Sequence, residues 1–386
     1  MNNNRNKRFL LGMDLGGTKL AYVLATTKGD FVYQKTYPSP YRIMSGTLEQ
    51  EEAPVYIDTI LHDIPLEKRV ARYLSETEAD FLDKAGAGPV LAKGMSLCGK
   101  TWVKDGKIMM IGGNTPVRLA EQDKDGRYGI VVGSMQEQVV AANDGNAAAT
   151  AQGMYYQAVN EIPARETGYI ILGTGFGFGV PGYFATTEIG HIPVPLMPEA
   201  LWQPCGCNKR RSTPCAENYV SGRGIAATCE RLLSLQSRGL LGEIEKQLAW
   251  LVSGEAHPDI EKTTLKPAEI SAEMVMKHAK NSSDGMAVRV AALAAHVTAY
   301  CVVAVAYQFG LQRIGIGETV AMANPWHVDA IARIAAGLVG DSTILKPPLT
   351  IELTPVNDPG QYGALSLVVP ESDYELWAGK MRRIKV

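Results

Sequence analysis

The sequence predicts an α/β protein with two similar lobes that share a cleft. The chain has 386 residues, a length typical of two domains of ordinary size. Short apolar strands separated by glycine turns predict a three-strand meander at about 9–33. After residue 127, strands alternate with helices, as in folds with crossover helices. We predict a small lobe from 1–140 plus 366–386 and a large lobe from 141–365.

Periodicity and turn residues predict the individual elements. Residues 65–85 have the spacing of an amphipathic helix, and Asp105-Gly106 predicts a hairpin turn. The segment 38–60 is rich in turn residues without a clear period, so we interpret it as a loop or insertion. Further strands are predicted at about 90–97, 129–132, 139–143, 169–173, 311–316 and 348–353. A further helix is predicted at 145–157. Helices are predicted to dominate from 215 to 340, including 285–309 and 326–339, and a helix pair is predicted at the end of the chain.

Composition excludes several classes of protein. Apolar residues make up 46% of the chain, enough for substantial cores, and the net charge of −2 provides no basic surface for nucleic acid. No apolar run approaches the ~20 residues of a membrane span. The first apolar patch is too short for a secretory signal. We therefore expect a cytoplasmic protein without a nucleic-acid or membrane partner.

Two glycine turns follow apolar strands. The first spans Asp14–Lys19 and the second Gly173–Gly179. Glycines let backbone N–H groups converge on an anion, and Thr18 and Thr174 add hydroxyl donors. The carboxylate of Asp14 suits a magnesium ion held through water. Either turn alone is equally consistent with a tight hairpin, but the pair favours a nucleotide bound between two lobes. Neither matches a Walker loop or a dinucleotide fingerprint.

Asp144 is the candidate general base. It follows a predicted strand in the run Asn143-Asp144-Gly145 and precedes an alanine-rich helix. At a helix N-terminus the dipole favours the ionised carboxylate, which is able to accept a hydroxyl proton as a phosphoryl group arrives. The alternative is a helix-capping aspartate, worth ~1 kcal/mol, and the two roles are compatible.

A cluster of cysteines predicts a metal site. Three of the six cysteines fall within eleven residues, and in a cytosolic protein such spacing favours metal over disulfides. One imidazole and three thiolates suit a closed tetrahedral zinc site of structural type. The alternatives are reduced cysteines without metal and a redox pair. The predicted ligands are His191, Cys205, Cys207 and Cys215.

Taken together, these motifs resemble the ROK family (repressor, ORF, kinase), a branch of the hexokinase/actin-like ATPases. The matching pieces occur in the family's order over nearly the whole chain: Asp14–Lys19, Asn143–Ala147, Gly173–Gly177, Glu188–His191, Cys205–Cys207 and Cys215–Glu217. The resemblance implies a two-lobed actin/hexokinase-like (ribonuclease H-like) ATPase fold with an interdomain cleft. It also implies ATP-dependent phosphorylation of a sugar hydroxyl, with Asp144 as base and ATP, Mg²⁺ and structural Zn²⁺ as cofactors.

The resemblance assigns further roles. Sugar hydroxyls would be contacted by Asn114, Asn143, Glu188, His191 and Glu217. The nucleotide would be bound by Asp14, Gly16, Gly17, Thr18, Lys19, Thr174, Gly175, Gly315 and Gly317, the last two beside the adenosine. Related kinases are often dimers or tetramers, so we expect a homodimer or homotetramer.

The sugar remains open at this stage. Asn208 replaces a glycine usual in the family, Thr187 replaces another before Glu188, and the segment before Glu188 is shorter. Glucose, fructose, allose, mannose, an N-acetylhexosamine and a cyclitol all remain candidates.

Two other functions remain as alternatives. One is sugar binding without kinase turnover, and the other is a sugar-responsive regulator. About eight residues precede Phe9, too few for a DNA-binding domain, so the regulator is not favoured. The five tryptophans and the histidines other than His191 show no ligand or catalytic pattern, and we expect them to be structural.

Overall fold

A computed structural model describes most of the chain. The described residues are 7–16, 19–40, 66–104, 107–112, 118–122, 128–130, 139–183, 187–194, 197–205, 207, 214–248, 263–266, 270–340 and 348–381. Most of the predicted insertion at 38–60 and the hairpin turn at 105–106 lie outside them. The chain forms two compact units: 1–167 with 179–186 and 355–386, and 168–178 with 187–354. The predicted division into lobes, whose large lobe begins at 141, stays a prediction.

The described strands and helices are as follows. The strands are β1 Phe9–Leu15, β2 Lys19–Thr26, β3 Phe31–Pro38, β4 Val90–Leu97, β5 Gly99–Lys104, β6 Lys107–Gly112, β7 Arg118–Gln122, β8 Tyr128–Ile130, β9 Val140–Asn143, β10 Thr167–Leu172, β11 Phe176–Gly179, β12 Arg313–Gly317 and β13 Thr350–Leu353. The helices are α1 Leu66–Ala85, α2 Asp144–Asn160, α3 Glu217–Val220, α4 Gly222–Ser237, α5 Leu241–Leu248, α6 Ala272–Lys280, α7 Gly285–Phe309, α8 Glu318–Ala323, α9 Pro325–Val339, α10 Pro359–Ser366 and α11 Tyr374–Met381.

The first unit is built on a five-stranded sheet in the order β3-β2-β1-β4-β9. The meander β1–β3 is antiparallel, whereas β4 and β9 run parallel to β1. Strands β5–β8 form a separate antiparallel sheet. This confirms the N-terminal meander followed by crossover connections that the sequence predicted.

The alternation of side chains along β1 gives the sheet two buried faces. Phe9, Leu11, Met13 and Leu15 join a core that also contains Phe81 of α1. The intervening residues belong to the opposite face, which is covered by α2, α10 and α11. Because the period of a strand is two, Asp14 belongs to that second face.

The second unit contains a four-stranded sheet in the order β11-β10-β12-β13 with helices α3–α9. Its central helix α7 is long and apolar enough to cross a membrane by length and composition. However, 72% of its most apolar window is buried inside the protein. Such burial is what the core helix of a globular domain requires.

Two details differ from the predicted elements. The second glycine turn is shorter than Gly173–Gly179, because β11 already begins at Phe176 and only three residues connect it to β10. The helix α8 was predicted only as part of the mainly helical region 215–340, without bounds of its own. It has six residues, too few for a recognisable apolar period, and it starts directly after the glycine-rich strand β12.

Candidate active site

In the first unit, three parallel strands end at one edge of the sheet. Asp14 of β1 is in register with Ser96 of β4, and Ser96 is in register with Ala142 of β9. Two strand spacings separate the outer pair, about 10 Å. Asp144 follows two residues after Ala142. The sheet therefore brings Asp14 and Asp144, which are 130 positions apart in sequence, to the same edge.

Asp14 is held on both sides of its carboxylate. The Ser96 hydroxyl donates a hydrogen bond to Asp14 Oδ1 at 2.8 Å. The other oxygen, Oδ2, faces Gly360 in the first turn of α10, where a Cβ would lie 3.1 Å away. Burial raises the pKa of the Asp14 carboxyl, whereas the Ser96 hydrogen bond and the charge of Lys19 lower that pKa. The charge of Asp358 raises it again. Ser96 and Gly360 were not predicted; the period-two pattern of β4 was the signal for Ser96.

Helix α2, which directly follows β9, is capped by Asn143 and not by Asp144. Asn143 Oδ1 accepts a hydrogen bond from the Gly145 amide at 3.1 Å, which makes Asn143 the N-cap of α2. Asp144 is the first helical residue, is partly buried, and also accepts from the Gly145 amide at 2.9 Å. The N-cap role considered for Asp144 therefore belongs to Asn143. The Asp144 carboxylate lies where the helix dipole favours negative charge.

The turn between β1 and β2 is closed by its backbone. The Gly16 amide donates to the Lys19 carbonyl at 3.0 Å, and the Ser39 hydroxyl donates to the Gly16 carbonyl at 2.8 Å. Gly17 and Thr18, which complete this predicted phosphate turn, lie outside the described residues. So does Asn114, which was predicted to contact the sugar.

In the second unit, the β10–β11 turn is surrounded by backbone from two helices. The Gly173 amide donates to the Gly175 carbonyl at 3.1 Å, and the Gly173 carbonyl accepts from the Gly222 amide at 2.8 Å. A Cβ on Gly173 would lie 3.1 Å from the side chains of Glu318 and Thr319. Within this turn Thr174 is exposed. An exposed hydroxyl on a turn supported in this way is available to an anion.

Glu217 connects this turn with the predicted sugar-binding segment. Its Oε2 accepts a hydrogen bond from the Phe176 amide at 3.2 Å. The same oxygen would lie 3.2 Å from a Cβ on Gly190 and 3.4 Å from one on Gly175. The turn, Glu217 and the Gly190–His191 segment therefore converge. Glu188 is exposed, with its Oε2 3.9 Å from His191 Nε2.

Backbone pairing places His191 beside Cys215. The Ala216 amide donates to the Ile192 carbonyl at 2.9 Å, and the Val194 amide donates to the Pro214 carbonyl at 2.9 Å. This short two-stranded bridge holds two segments together that are more than 20 positions apart in sequence. The result is a fixed distance between the predicted metal ligands at its ends.

The four predicted metal ligands form one cluster. Their donor atoms all lie within 4.8 Å of one another. His191 Nδ1 is 3.5 Å from Cys205 Sγ, and Cys207 Sγ is 3.5 Å from Cys215 Sγ. A tetrahedral zinc with Zn–S bonds of about 2.3 Å needs ligand separations of roughly 3.8 Å. The observed separations bracket this value, so the residues fit a closed zinc site. The other ring nitrogen, His191 Nε2, lies 3.9 Å from Glu188 Oε2.

Of the two predicted adenosine residues, Gly315 lies in the middle of β12 and Gly317 at its end. Gly315 is in register with Glu352 of β13. Gly317 precedes α8, and a Cβ there would lie 2.2 Å from the Tyr169 hydroxyl, so the close packing requires glycine. Glu318 has a left-handed backbone with φ of 73°. Non-glycine residues in this region cost ~1–3 kcal/mol and often lie at binding sites. No pattern in the sequence indicated this conformation.

Comparison with known proteins gives one family. The sequence profile described as the ROK family matches residues 131–369, more than half of the chain. A comparison with curated protein sequences returned no significant match.

Several solved structures share the fold at low sequence identity. A ROK family glucokinase from Streptomyces griseus, in complex with glucose and AMPPNP, has a TM-score of 0.56 and 20% identity, covering 93% of this chain and 98% of that chain. The ROK hexokinase from Thermus thermophilus has a TM-score of 0.54 and 18% identity, with coverages of 92% and 97%. A ROK family transcriptional regulator, a homologue of the E. coli MLC protein, has a TM-score of 0.60 and 17% identity, with coverages of 98% and 82%. The predicted fold class is thereby confirmed.

Proposed function

The chain belongs to the ROK family, and from this premise we propose that it is an ATP-dependent kinase of a hexose or hexose-like sugar. The observation that carries the proposal is the position of Asp144. Its carboxylate begins α2 at the sheet edge that also carries Asp14, while Asn143 fulfils the capping role. Because Asn143 supplies the N-cap, a role for the half-buried Asp144 carboxylate beyond capping is compatible with the helix.

In the proposed reaction Asp144 acts as general base. It accepts the proton of one sugar hydroxyl as that oxygen forms a bond to the γ-phosphorus of ATP. The bond between the γ-phosphorus and the bridging oxygen breaks, and ADP leaves. The helix dipole favours the ionised form of the carboxylate before transfer. Asn143, Glu188, His191 and Glu217, together with Asn114, would orient the sugar.

The nucleotide phosphates would be bound by the two glycine turns. Asp14 is the proposed magnesium ligand, acting through water. Two features support this role: Ser96 orients its carboxylate, and Asp358 adds a second negative charge nearby. A divalent cation would relieve the repulsion between these carboxylates. When bound, magnesium would neutralise charge on the transferring phosphoryl group.

The cysteine cluster would hold zinc in a structural role. Three thiolates and one imidazole leave no position for water, so zinc would supply rigidity and not a nucleophile. His191 would bind the metal through Nδ1 and leave Nε2 toward Glu188, in the predicted sugar segment. Fixing a ligand side chain by a metal is a way to pre-orient a binding residue. Metal analysis of the purified protein should find about one zinc per chain.

A sugar panel tests the proposal. The purified protein is mixed with ATP, Mg²⁺ and, in turn, glucose, fructose, allose, mannose, N-acetylmannosamine, N-acetylglucosamine and inositol. ADP release is measured against a control without sugar, and the phosphorylated position is read by phosphorus and proton NMR. Sugar-dependent ADP release with a sugar phosphate product supports the kinase. No release with any sugar contradicts it.

The alternative is sugar binding without turnover, because the fold is shared by kinases and by a regulator. Calorimetric titration with the same sugars separates the two. Binding without ADP release would favour a sugar-responsive protein.

A further inference from the structure

Arg223 is a cationic residue beside the β10–β11 turn, and no role was predicted for it from the sequence. It is the second residue of α4, and the amide of the preceding Gly222 donates a hydrogen bond to the Gly173 carbonyl at 2.8 Å. The Ser221 hydroxyl accepts a hydrogen bond from the Gly224 amide at 3.1 Å and caps the same helix. The backbone of Arg223 is therefore fixed at the edge of the turn.

The guanidinium of Arg223 lies beside the carboxylate that supports this turn. Its Nη2 is 3.7 Å from Glu217 Oε1, while Glu217 Oε2 accepts the hydrogen bond of the Phe176 amide at 3.2 Å. A Cβ on Gly175 would lie 3.4 Å from the same Oε2. One carboxylate thus has the turn at one oxygen and the guanidinium at the other. Positive charge is thereby placed next to the exposed hydroxyl residue of the turn, Thr174.

The pair between Arg223 and Glu217 is loose. Its separation of 3.7 Å exceeds the roughly 2.7–3.2 Å of an N–H···O hydrogen bond. The Arg223 side chain is 75% exposed, and exposed ion pairs contribute little to stability. A long side chain that is held this weakly is free to turn toward a stronger anion.

Acidic residues around the turn create a need for positive charge. Glu217 contacts the turn directly, and Glu318 packs against it, with its Cβ 3.1 Å from the position of a Cβ on Gly173. Two carboxylates repel a nucleotide triphosphate, because like charges at short range in a partly buried site are weakly screened. Arg223 is the cation that the described contacts place next to Glu217. It is therefore suited to offset this repulsion.

We propose that Arg223 leaves Glu217 and binds the terminal phosphate groups of ATP when the nucleotide occupies the β10–β11 turn. The planar guanidinium forms paired, charge-assisted hydrogen bonds with phosphate oxygens, which a carboxylate 3.7 Å away does not provide. The inference rests on the proposed kinase function and adds a phosphate-binding residue to that site.

Calorimetric titration of the full chain with AMPPNP and Mg²⁺, without sugar, tests the proposal independently of turnover. Arg223→Ala should weaken AMPPNP binding about 10–100-fold, the range for a lost hydrogen bond to a charged group. AMP lacks the terminal phosphate groups and should bind the variant and the wild type equally. Arg223→Lys keeps the charge without the paired geometry and should lose less. Arg238→Ala, at the opposite end of α4, is the matched control and should bind AMPPNP as the wild type does.

A second background separates phosphate contact from neutralisation of Glu217. In Glu217→Gln the carboxylate is absent, yet Arg223→Ala should still weaken AMPPNP binding by a similar factor. Loss of the effect in this background would overturn the proposal, because Arg223 would then act only on the charge of Glu217. Unchanged AMPPNP binding in the single variant, or an equal loss of AMP binding, would overturn it as well. A wild-type protein that binds no AMPPNP at about 10 mM, a concentration that populates even a millimolar site, would instead contradict the kinase function itself and this inference with it.

Discussion

Glu217 Oε2 accepts a hydrogen bond from the Phe176 amide at 3.2 Å, so a residue two positions after a predicted zinc ligand supports the β10–β11 turn. The predicted metal cluster, the sugar segment and one phosphate turn are thereby parts of one connected structure within the second unit. A substitution in one of these three parts should therefore alter the stability of the other two.

Removing this acceptor should weaken the turn. Glu217→Ala leaves the Phe176 amide without its partner, and we expect the free energy of unfolding to fall by about 1–3 kcal/mol. Glu217→Gln retains an acceptor oxygen and should lose less. Urea denaturation measures both. The exposed Arg223, 3.7 Å from Glu217 Oε1, is the control: Arg223→Ala should cost less than about 0.5 kcal/mol, as expected of a surface ion pair. Equal losses in the three variants would contradict the role assigned to the amide.

Asp144→Asn should remove most sugar-dependent ADP release. General-base catalysis contributes about 10²–10⁴-fold, and kcat should fall by a factor in this range. The fold should be retained, because Asn143 caps α2 and the lost dipole interaction is worth about 0.3–1 kcal/mol. Asp83→Asn, on the exposed end of α1, is the matched control and should keep full activity. Full kcat in the Asp144 variant would refute its assignment as base.

Gly190→Ala should disrupt the metal cluster. A Cβ at Gly190 would lie 2.4 Å from the Phe176 carbonyl oxygen, so the backbone beside His191 must move. Overpacking of this kind typically costs about 1–3 kcal/mol. We expect a lower zinc content by elemental analysis and a lower melting temperature. Gly242→Ala, near the start of α5 with no atom within 4 Å, is the control and should leave the zinc content and the melting temperature nearly unchanged. Normal zinc content in the Gly190→Ala variant would contradict this prediction, because the backbone beside His191 would then have moved without loss of the metal.

His327 should make stability depend on pH. Burial lowers its pKa from 6.5 to about 4. Between these values the unfolded chain binds a proton that the folded protein does not, so the free energy of unfolding falls as the pH drops from about 7 to 4. Relative to His327→Phe, the wild type should lose up to ~3 kcal/mol over this range.

Comparison with His327→Phe also controls for the other charged groups that line the pocket between α6, α7 and α9. His296 and Arg333 line the same pocket in both proteins, so their contributions cancel in the difference. The variant should also be the more stable protein at pH 7, because it buries no unpaired nitrogen. Denaturation curves at four or more pH values measure both effects. Parallel pH profiles of the two proteins would contradict the prediction.

Much of the fold followed from local patterns. The helix predicted at 65–85 is Leu66–Ala85, and the strand predicted at about 90–97 is Val90–Leu97. The helix has an amphipathic period and the strand lies between glycine-containing turns, and both features are properties of the local sequence. Short elements were not predicted individually: α8 has six residues within a region predicted only as mainly helical, and β11 was interpreted as part of a turn because it contains two glycines. Packing against neighbouring strands, and not propensity, determines such elements.

The sequence by itself determined which residue types are available for chemistry: two glycine turns, an aspartate before a helix, and three cysteines with a histidine. Only the tertiary structure decided how these groups are used. Strand register brought Ser96 to Asp14, helix geometry made Asn143 the cap, and the pairing of 192–194 with 214–216 brought four ligand atoms together. The unpaired nitrogens of His327 also appear only when α9 is packed. Periodicity reports the face on which a side chain lies, whereas its partner is chosen by segments that are distant in sequence.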